Sequence, residues 1–159
     1  MGVERLQVQR TIAAAPDEIF HILRDPQGHV DIDSTGMLQS FTGAPAQGVG
    51  DTFVVHMDRE ALNDYPLGQY DVTVTIASFD RDREISWTIL GRIRPQMGHV
   101  YGYQLEPVEH GTLVTSFYDW SNADQHWKDA GVFPVVSEAA LRATLGILAR
   151  VVARGQQTT

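Results

Sequence analysis

Residues 134–154 read PVVSEAALRATLGILARVVAR, and their spacing decides what the rest of the chain must build. Leu141, Leu145, Leu148 and Val152 recur every three or four positions, which makes one apolar stripe on an amphipathic helix running from 134 to about 154. Ala139, Ala143 and Gly146 share a neighbouring face, so this side of the helix is expected to lie close against something concave. A sheet that curls around one long helix can leave an apolar hollow between the two, and such hollows hold ligands.

Working back from that helix, the preceding residues are patterned as strands. Residues 70–79 alternate Tyr70, Val72, Val74 and Ile76 with Asp71, Thr73 and Thr75, the signature of a half-buried antiparallel strand. Strands are also predicted over 3–12, 37–41, 52–57, 84–90, 100–105 and 113–120. Residues 80–83 and the segment Glu109-His110-Gly111 make short turns, 43–51 is a glycine and proline turn cluster, and 59–66 is a polar break. After the first strand, Ala15-Pro16-Asp17-Glu18 opens a helix, with Ile19, Phe20 and Leu23 as its buried stripe. Asp25-Pro26 stops it, and a second short helix or turn covers 27–33. Residues 121–133 form a polar and aromatic loop with Trp127 and Phe133, to be read as a lid over the cavity entrance, as an oligomer contact, or as a staple that fixes the entry angle of the helix. Within 113–120 both parities carry apolar residues: Leu113, Thr115 and Phe117 on one, Val114, Ser116, Tyr118 and Trp120 on the other. A bulge would reconcile them.

At 159 residues, with 43% hydrophobic and 20% charged, the chain has globular composition, enough for one domain over 1–155 and a frayed tail over 156–159. Twelve basic against twenty acidic residues give a net charge of −8, which argues against nucleic acid as a partner. No segment reaches the roughly 20 apolar residues needed to span a bilayer, and residues 1–10 lack the apolar block of a signal peptide. A cytoplasmic protein is expected. The absence of cysteine excludes disulfides, thiolate metal ligands and a cysteine nucleophile. A Gly-x-Ser-x-Gly elbow, a phosphate-binding glycine loop and a His-Glu-x-x-His pair are all missing, so serine hydrolase, nucleotide enzyme and zinc protease readings lose their support.

Element order and several short motifs resemble the START-like, or helix-grip, superfamily (SRPBCC), which includes the polyketide cyclase and dehydratase group and the major birch pollen allergen. The motifs are the stretch 12–20 (IAAAPDEIF), the glycine turn 48–53, the hairpin signal 111–115 and the long terminal helix. The resemblance implies an α+β fold in which a curved antiparallel sheet of six to seven strands wraps around the C-terminal helix, with two short helices after strand 1. It further implies a cavity between sheet and helix for one small hydrophobic molecule, and it favours the Val114 set facing inward. Many bacterial relatives carry Trp where this chain has Ile32, a departure near the expected cavity mouth.

Two groups of residues stand out as candidate sites. Trp87, Tyr101 and Tyr103 alternate on inward strand positions, and inward tyrosines need partners for their hydroxyls, which a ligand, waters or the cavity rim would supply. With Tyr118, Trp120, Phe133, Leu141 and Gly146 they form the expected ligand-binding set. His29, Asp31 and Asp33 are the densest cluster of groups able to move protons, although acids in a loop more often cap helices and make turns. Arg92, with Arg94, could offer a cation to a carboxylate or enolate oxygen, and His56, Asp58 and His99 complete the polar candidates. No metal site and no cofactor are expected. The expected function is binding of a small hydrophobic ligand such as a lipid, polyketide or aromatic compound, with an acid/base cyclase or dehydratase as the alternative. A homodimer is compatible with either.

Overall fold

The alternating segments pair into one seven-stranded antiparallel sheet, ordered β1-β7-β6-β5-β4-β3-β2. The computed structural model describes residues 2–157. Six strands, β2 (Leu38–Thr42), β3 (Thr52–Asp58), β4 (Gln69–Asp80), β5 (Glu84–Leu90), β6 (Val100–Val108) and β7 (Gly111–Asp119), run as a meander, and β1 (Arg5–Ile12) closes beside β7. Helices α1 (Pro16–Leu23) and α2 (Pro26–Ile32) connect β1 to β2, α3 (Gln125–Asp129) follows β7, and α4 (Glu138–Gln157) ends the described chain. This is the helix-grip architecture.

Pairing register assigns the two sheet faces. Val74, Ile76, Ile85, Trp87, Tyr101, Tyr103, Val114 and Tyr118 point inward with Val8, Phe53 and Val55. The Val114 parity of β7 is therefore the inner one. No bulge is needed, because β7 keeps an unbroken register with both β1 and β6. Phe117 is buried on the opposite, outer face because its ring lies over Gly102: a Cβ there would meet Phe117 Cζ at 2.3 Å. The Arg5 guanidinium covers the ring from the other side, 4.1 Å from its centroid. Register does shift where β2 meets β3 and where β4 meets β5, between Ile76 and Ser78.

The terminal helix begins later than its apolar spacing indicates. Ser137 caps it, its hydroxyl accepting the Ala140 amide (3.0 Å) and its carbonyl the Leu141 amide (3.1 Å), so residues 134–137 lead in without being helical. At the other end the helix includes Gln156 and Gln157, where a frayed tail was expected, and Gln156 Nε2 donates to the Ala13 carbonyl (3.1 Å). Thr158 and Thr159 lie outside the described residues. Leu141, Leu145, Leu148 and Val152 are buried, and α4 packs mainly on β1, β7 and α2. The small-residue face turns elsewhere: Ala139 and Ala143 are exposed, and a Cβ on Gly146 would meet only Arg10 Nη1, at 3.7 Å.

Two elements were not legible as such. Within 121–133, Asp124 caps α3 through the His126 amide (2.9 Å), and a 3-10 turn occupies Glu60–Leu62 in the polar break. Among the described residues no helix is long and apolar enough to cross a membrane.

Candidate functional site

The antiparallel register sets Trp87 of β5, Tyr101 of β6 and Tyr118 of β7 abreast on the inner face. Trp87 stacks on Tyr101 at 6.3 Å between centroids, Tyr101 meets Tyr118 at 4.8 Å, and Tyr103 lies 5.9 Å from Trp87. From Tyr118 the array continues to Trp120 (5.6 Å), which stacks on Phe133 (6.3 Å). Six of the eight residues expected to bind ligand are thus one connected wall of rings. Leu141 belongs to the buried stripe of α4, and Gly146 lies outside the array, beside Arg10.

Two histidines enter this wall from opposite ends. His29 is delivered by α2, whose start is set by Pro26 and by the Asp25 carboxylate accepting the Gln27 amide (2.9 Å). Its ring meets Trp87 at 4.5 Å and Phe53 at 5.1 Å, while Nε2 donates to the Leu23 carbonyl at the end of α1 (2.8 Å). That bond leaves Nδ1 as the unprotonated nitrogen of the neutral ring. His99, immediately before β6, contacts Tyr101, Tyr118 and Phe133 edge-on, and its Nδ1 lies 2.7 Å from the Tyr118 hydroxyl.

Burial dominates the electrostatics. Desolvation lowers both imidazoles to about 4, with the Leu23 carbonyl and the Asp25 charge opposing it at His29, so both rings are neutral at physiological pH. The hydroxyls of Tyr101, Tyr103 and Tyr118 are raised by the same cause and stay protonated. Ser116 partners Tyr103, and His99 partners Tyr118. Tyr101 Oη and Trp87 Nε1 have no hydrogen-bond partner among the described residues and keep solvent-accessible surface, which leaves two reachable polar tips on an apolar wall. The array can therefore bury a flat apolar surface and offer it a small number of neutral donors and acceptors.

The remaining candidates are placed elsewhere. Asp31 is exposed and accepts from Gln27 Nε2 (2.7 Å), one helical turn away. Asp33 accepts the amides of Thr35 (3.0 Å), Gly36 (2.8 Å) and Leu38 (3.2 Å) together with the Thr35 hydroxyl (2.8 Å), and so builds the turn into β2. Arg92 is exposed, 5.8 Å from the Tyr70 ring. Only His29 of the 29–33 cluster reaches the interior, because a helix spreads positions two apart over different faces. His56 bonds Asp71 and Thr42 (both 2.8 Å) on the outer face. No group of three metal-ligating side chains comes together among the described residues.

Loop 121–133 is tied down. Trp127 Nε1 donates to the Pro95 carbonyl (2.8 Å), and Lys128 pairs with Glu4 (3.0 Å). Its end, Phe133, together with Trp120, covers the His99 side of the wall, both rings being half-buried. On the side of the sheet facing α4, Trp87, Tyr103 and Tyr118 are buried within the core, while Tyr101, Trp120 and Phe133 are half-buried at its edge. Two open clefts, of about 690 Å³ and about 430 Å³, lie elsewhere, one between α1 and the end of α4 and one beside the 3-10 turn. The pairing of His99 with Tyr118 was missed, since nothing in local spacing joins the first residue before β6 to an inward position of β7.

Residues 4–153 match the model of a family described as polyketide cyclase/dehydrase and lipid transport. None of the curated proteins matches the chain significantly. Among solved structures it is similar to a Chromobacterium violaceum protein, with 12% identity, TM-score 0.67 and 94% and 96% of the two chains covered. An AHSA1-like protein from Aeromonas hydrophila follows at 15% identity, TM-score 0.61 and 96% and 94% coverage. The Aha1 dimer from Colwellia psychrerythraea stands at 17% identity, TM-score 0.59 and 93% and 95% coverage. At these identities the likeness is one of fold.

Proposed function

Because the chain belongs to the polyketide cyclase/dehydrase and lipid transport family, we propose that it binds one small, flat, largely apolar molecule, an aromatic or polyketide-like compound, against the ring wall between sheet and α4. The observation that carries the reading is the continuous array from His29 to Phe133 with Trp87 Nε1 and Tyr101 Oη left without partners. Each 100 Å² of apolar ligand surface removed from water contributes roughly 2.5 kcal/mol, and the two free tips fix orientation. Entry is by parting Trp120 and Phe133, the half-buried stacked pair at the end of the wall.

Native mass spectrometry with extraction of co-purified small molecules, followed by NMR titration with 2-naphthol, tests this. Shifts centred on Trp87, Tyr101 and His99 support it. Binding that leaves those signals unmoved defeats it.

A second reading, an acid/base enzyme of the cyclase or dehydratase kind, is favoured by one feature: a neutral imidazole 2.7 Å from a protonated phenol, His99 and Tyr118. With Nδ1–H donating to the Tyr118 oxygen, such a pair can take a proton from an activated carbon onto His99 Nε2 while the phenol presents its O–H to the developing oxyanion. Deuterium exchange at the α-carbon of a 2-naphthyl 1,3-diketone reads this step. Loss of exchange in Tyr118→Phe with binding retained supports the enzyme; exchange unaffected by the variant removes it.

The same reading takes residues 1–155 as one cytoplasmic domain with no nucleic-acid partner, consistent with the net charge of −8. A homodimer is carried forward because one fold neighbour is described as a dimer. Sedimentation velocity decides it.

A further inference from the structure

Arg24 Nε is the one buried side-chain nitrogen or oxygen among the described residues that has no hydrogen-bond partner. The two Nη nitrogens of the same guanidinium also lack a partner among the described residues, but they keep solvent-accessible surface, so an unpaired cation is presented outward. The position is held rigidly. Arg24 caps α1, its amide donating to the Phe20 carbonyl (3.0 Å) and its own carbonyl accepting the Ala46 amide (2.9 Å). Its guanidinium forms no ion pair with the described residues, and it lines the cleft of about 690 Å³ between α1, the β4–β5 turn and the end of α4.

The cleft has two kinds of wall. Phe20, Ile22, Val151 and Val152 supply an apolar floor. Arg24, Arg81 and His21 stand over it, none of them in an ion pair or a side-chain hydrogen bond with the described residues. The acids on the rim limit the charge that can enter. Glu18 is engaged by Gln156 Nε2 (3.1 Å), whereas Asp17 and Asp82 add negative potential. A dianion is disfavoured there, while a single carboxylate meets the planar fork of the accessible Nη nitrogens of Arg24.

We propose that this cleft is a second ligand site, separate from the ring wall, that takes an amphipathic monocarboxylate: the carboxylate on Arg24, the apolar tail over Phe20 and Val151. The proposal does not depend on what the ring wall binds.

The test is titration of the full chain with dodecanoate below its micelle threshold, followed through the Arg24 Nε–H signal, the α1 amides and the Trp87 indole signal, with dodecanol and inorganic phosphate in parallel. Dodecanoate is expected to shift Arg24 Nε–H and the α1 amides together, dodecanol to bind about tenfold more weakly, and phosphate to leave Arg24 unmoved. Arg24→Gln is expected to weaken dodecanoate by about tenfold and Arg24→Lys by less, because lysine keeps the charge but loses the planar fork. Arg81→Gln, an exposed turn substitution, serves as a variant that keeps the fold and still weakens binding. Dodecanoate that shifts the Trp87 signal and leaves α1 unmoved would overturn the proposal, as would wild-type affinity in both Arg24→Gln and Arg81→Gln. Failure at this cleft leaves the ring-wall reading intact, and failure of the 2-naphthol titration leaves this one.

Discussion

Lowering the pH from 7 to 4 charges two imidazoles that the fold holds neutral, and the cost follows from their surroundings. His29 and His99 titrate at about 4 in the folded protein against 6.5 when exposed, mainly because burial strips water from the charged form. The sign follows from proton counts. Above 6.5 neither state binds the extra proton and stability is full. Between 6.5 and 4 the unfolded chain is protonated and the folded chain resists, so stability falls. Below 4 both states carry the proton and these two residues take no more. Lowering from 6.5 to about 4 corresponds to roughly 3 kcal/mol per histidine, and the slope near pH 5 is about 2.5 kcal/mol per pH unit for the pair. A domain of this size has a total stability of about 5–15 kcal/mol, so the loss is large enough to unfold part of the population near pH 4.

Urea unfolding followed by tryptophan fluorescence at pH values between about 7.5 and 4.5 measures it. The wild-type midpoint should fall steadily below pH 6.5. His29→Gln, which keeps a donor for the Leu23 carbonyl, and His99→Gln should each flatten the dependence by about half, whatever they cost at neutral pH. Asp119 does not confuse the window: desolvation raises its carboxyl, but its bonds to Ser121 and Arg5 outweigh that and hold it below its usual range, so it contributes only under pH 4. A midpoint constant from pH 7 to 5, or variants with the full wild-type slope, would refute the burial argument for both rings.

Three further substitutions separate packing from function. Gly102→Val places a Cβ 2.3 Å from Phe117 Cζ and 2.8 Å from Ser86 Cβ, and should cost about 1–3 kcal/mol in urea unfolding; a neutral result means that Phe117 moves off β6 freely. Asp33→Asn removes one of two oxygens that together accept four bonds, and should cost about 1–2 kcal/mol in a melt while 2-naphthol binding is retained. Gly146→Leu meets only Arg10 and replaces a weak helix former, so it should raise stability by about 0.5–1 kcal/mol and spare binding; loss of binding would put the small-residue face of α4 back against the ligand.

What could be read from the chain, and what could not, divides along a physical line. Period-two alternation in 70–79 and 84–90 has one explanation, a half-buried strand, and β4 and β5 follow it. The terminal helix was readable for the same reason, although Ser137 shows that a cap overrides apolar spacing at the boundary. Residues 113–120 looked ambiguous because periodicity assumes one dry face. Gly102 and Arg5 make a second dry spot outside, and a glycine on the next strand is invisible to a pattern within β7. The three small residues of α4 were misplaced for a related reason: small size permits close approach but does not require it, whereas burial of four large apolar side chains does.

The polar groups of the ring wall illustrate the limit most sharply. His29 sits in a seven-residue helix held by an Asp25 cap, and His99 sits one residue before a strand begins, where no period extends far enough to assign a face. Each becomes part of the wall through a contact distant in sequence, His29 with Trp87 and His99 with Tyr118. Asp31 and Asp33, two and four residues beyond His29, are spent on the outside of α2 and on the turn into β2. Residue type drew attention to the right neighbourhood, but only the junction of α1, α2 and β5 selects which of three ionisable groups enters the interior. The chemical role proposed for the ring wall therefore rests on helix ends and strand ends, the places where sequence periodicity carries least information.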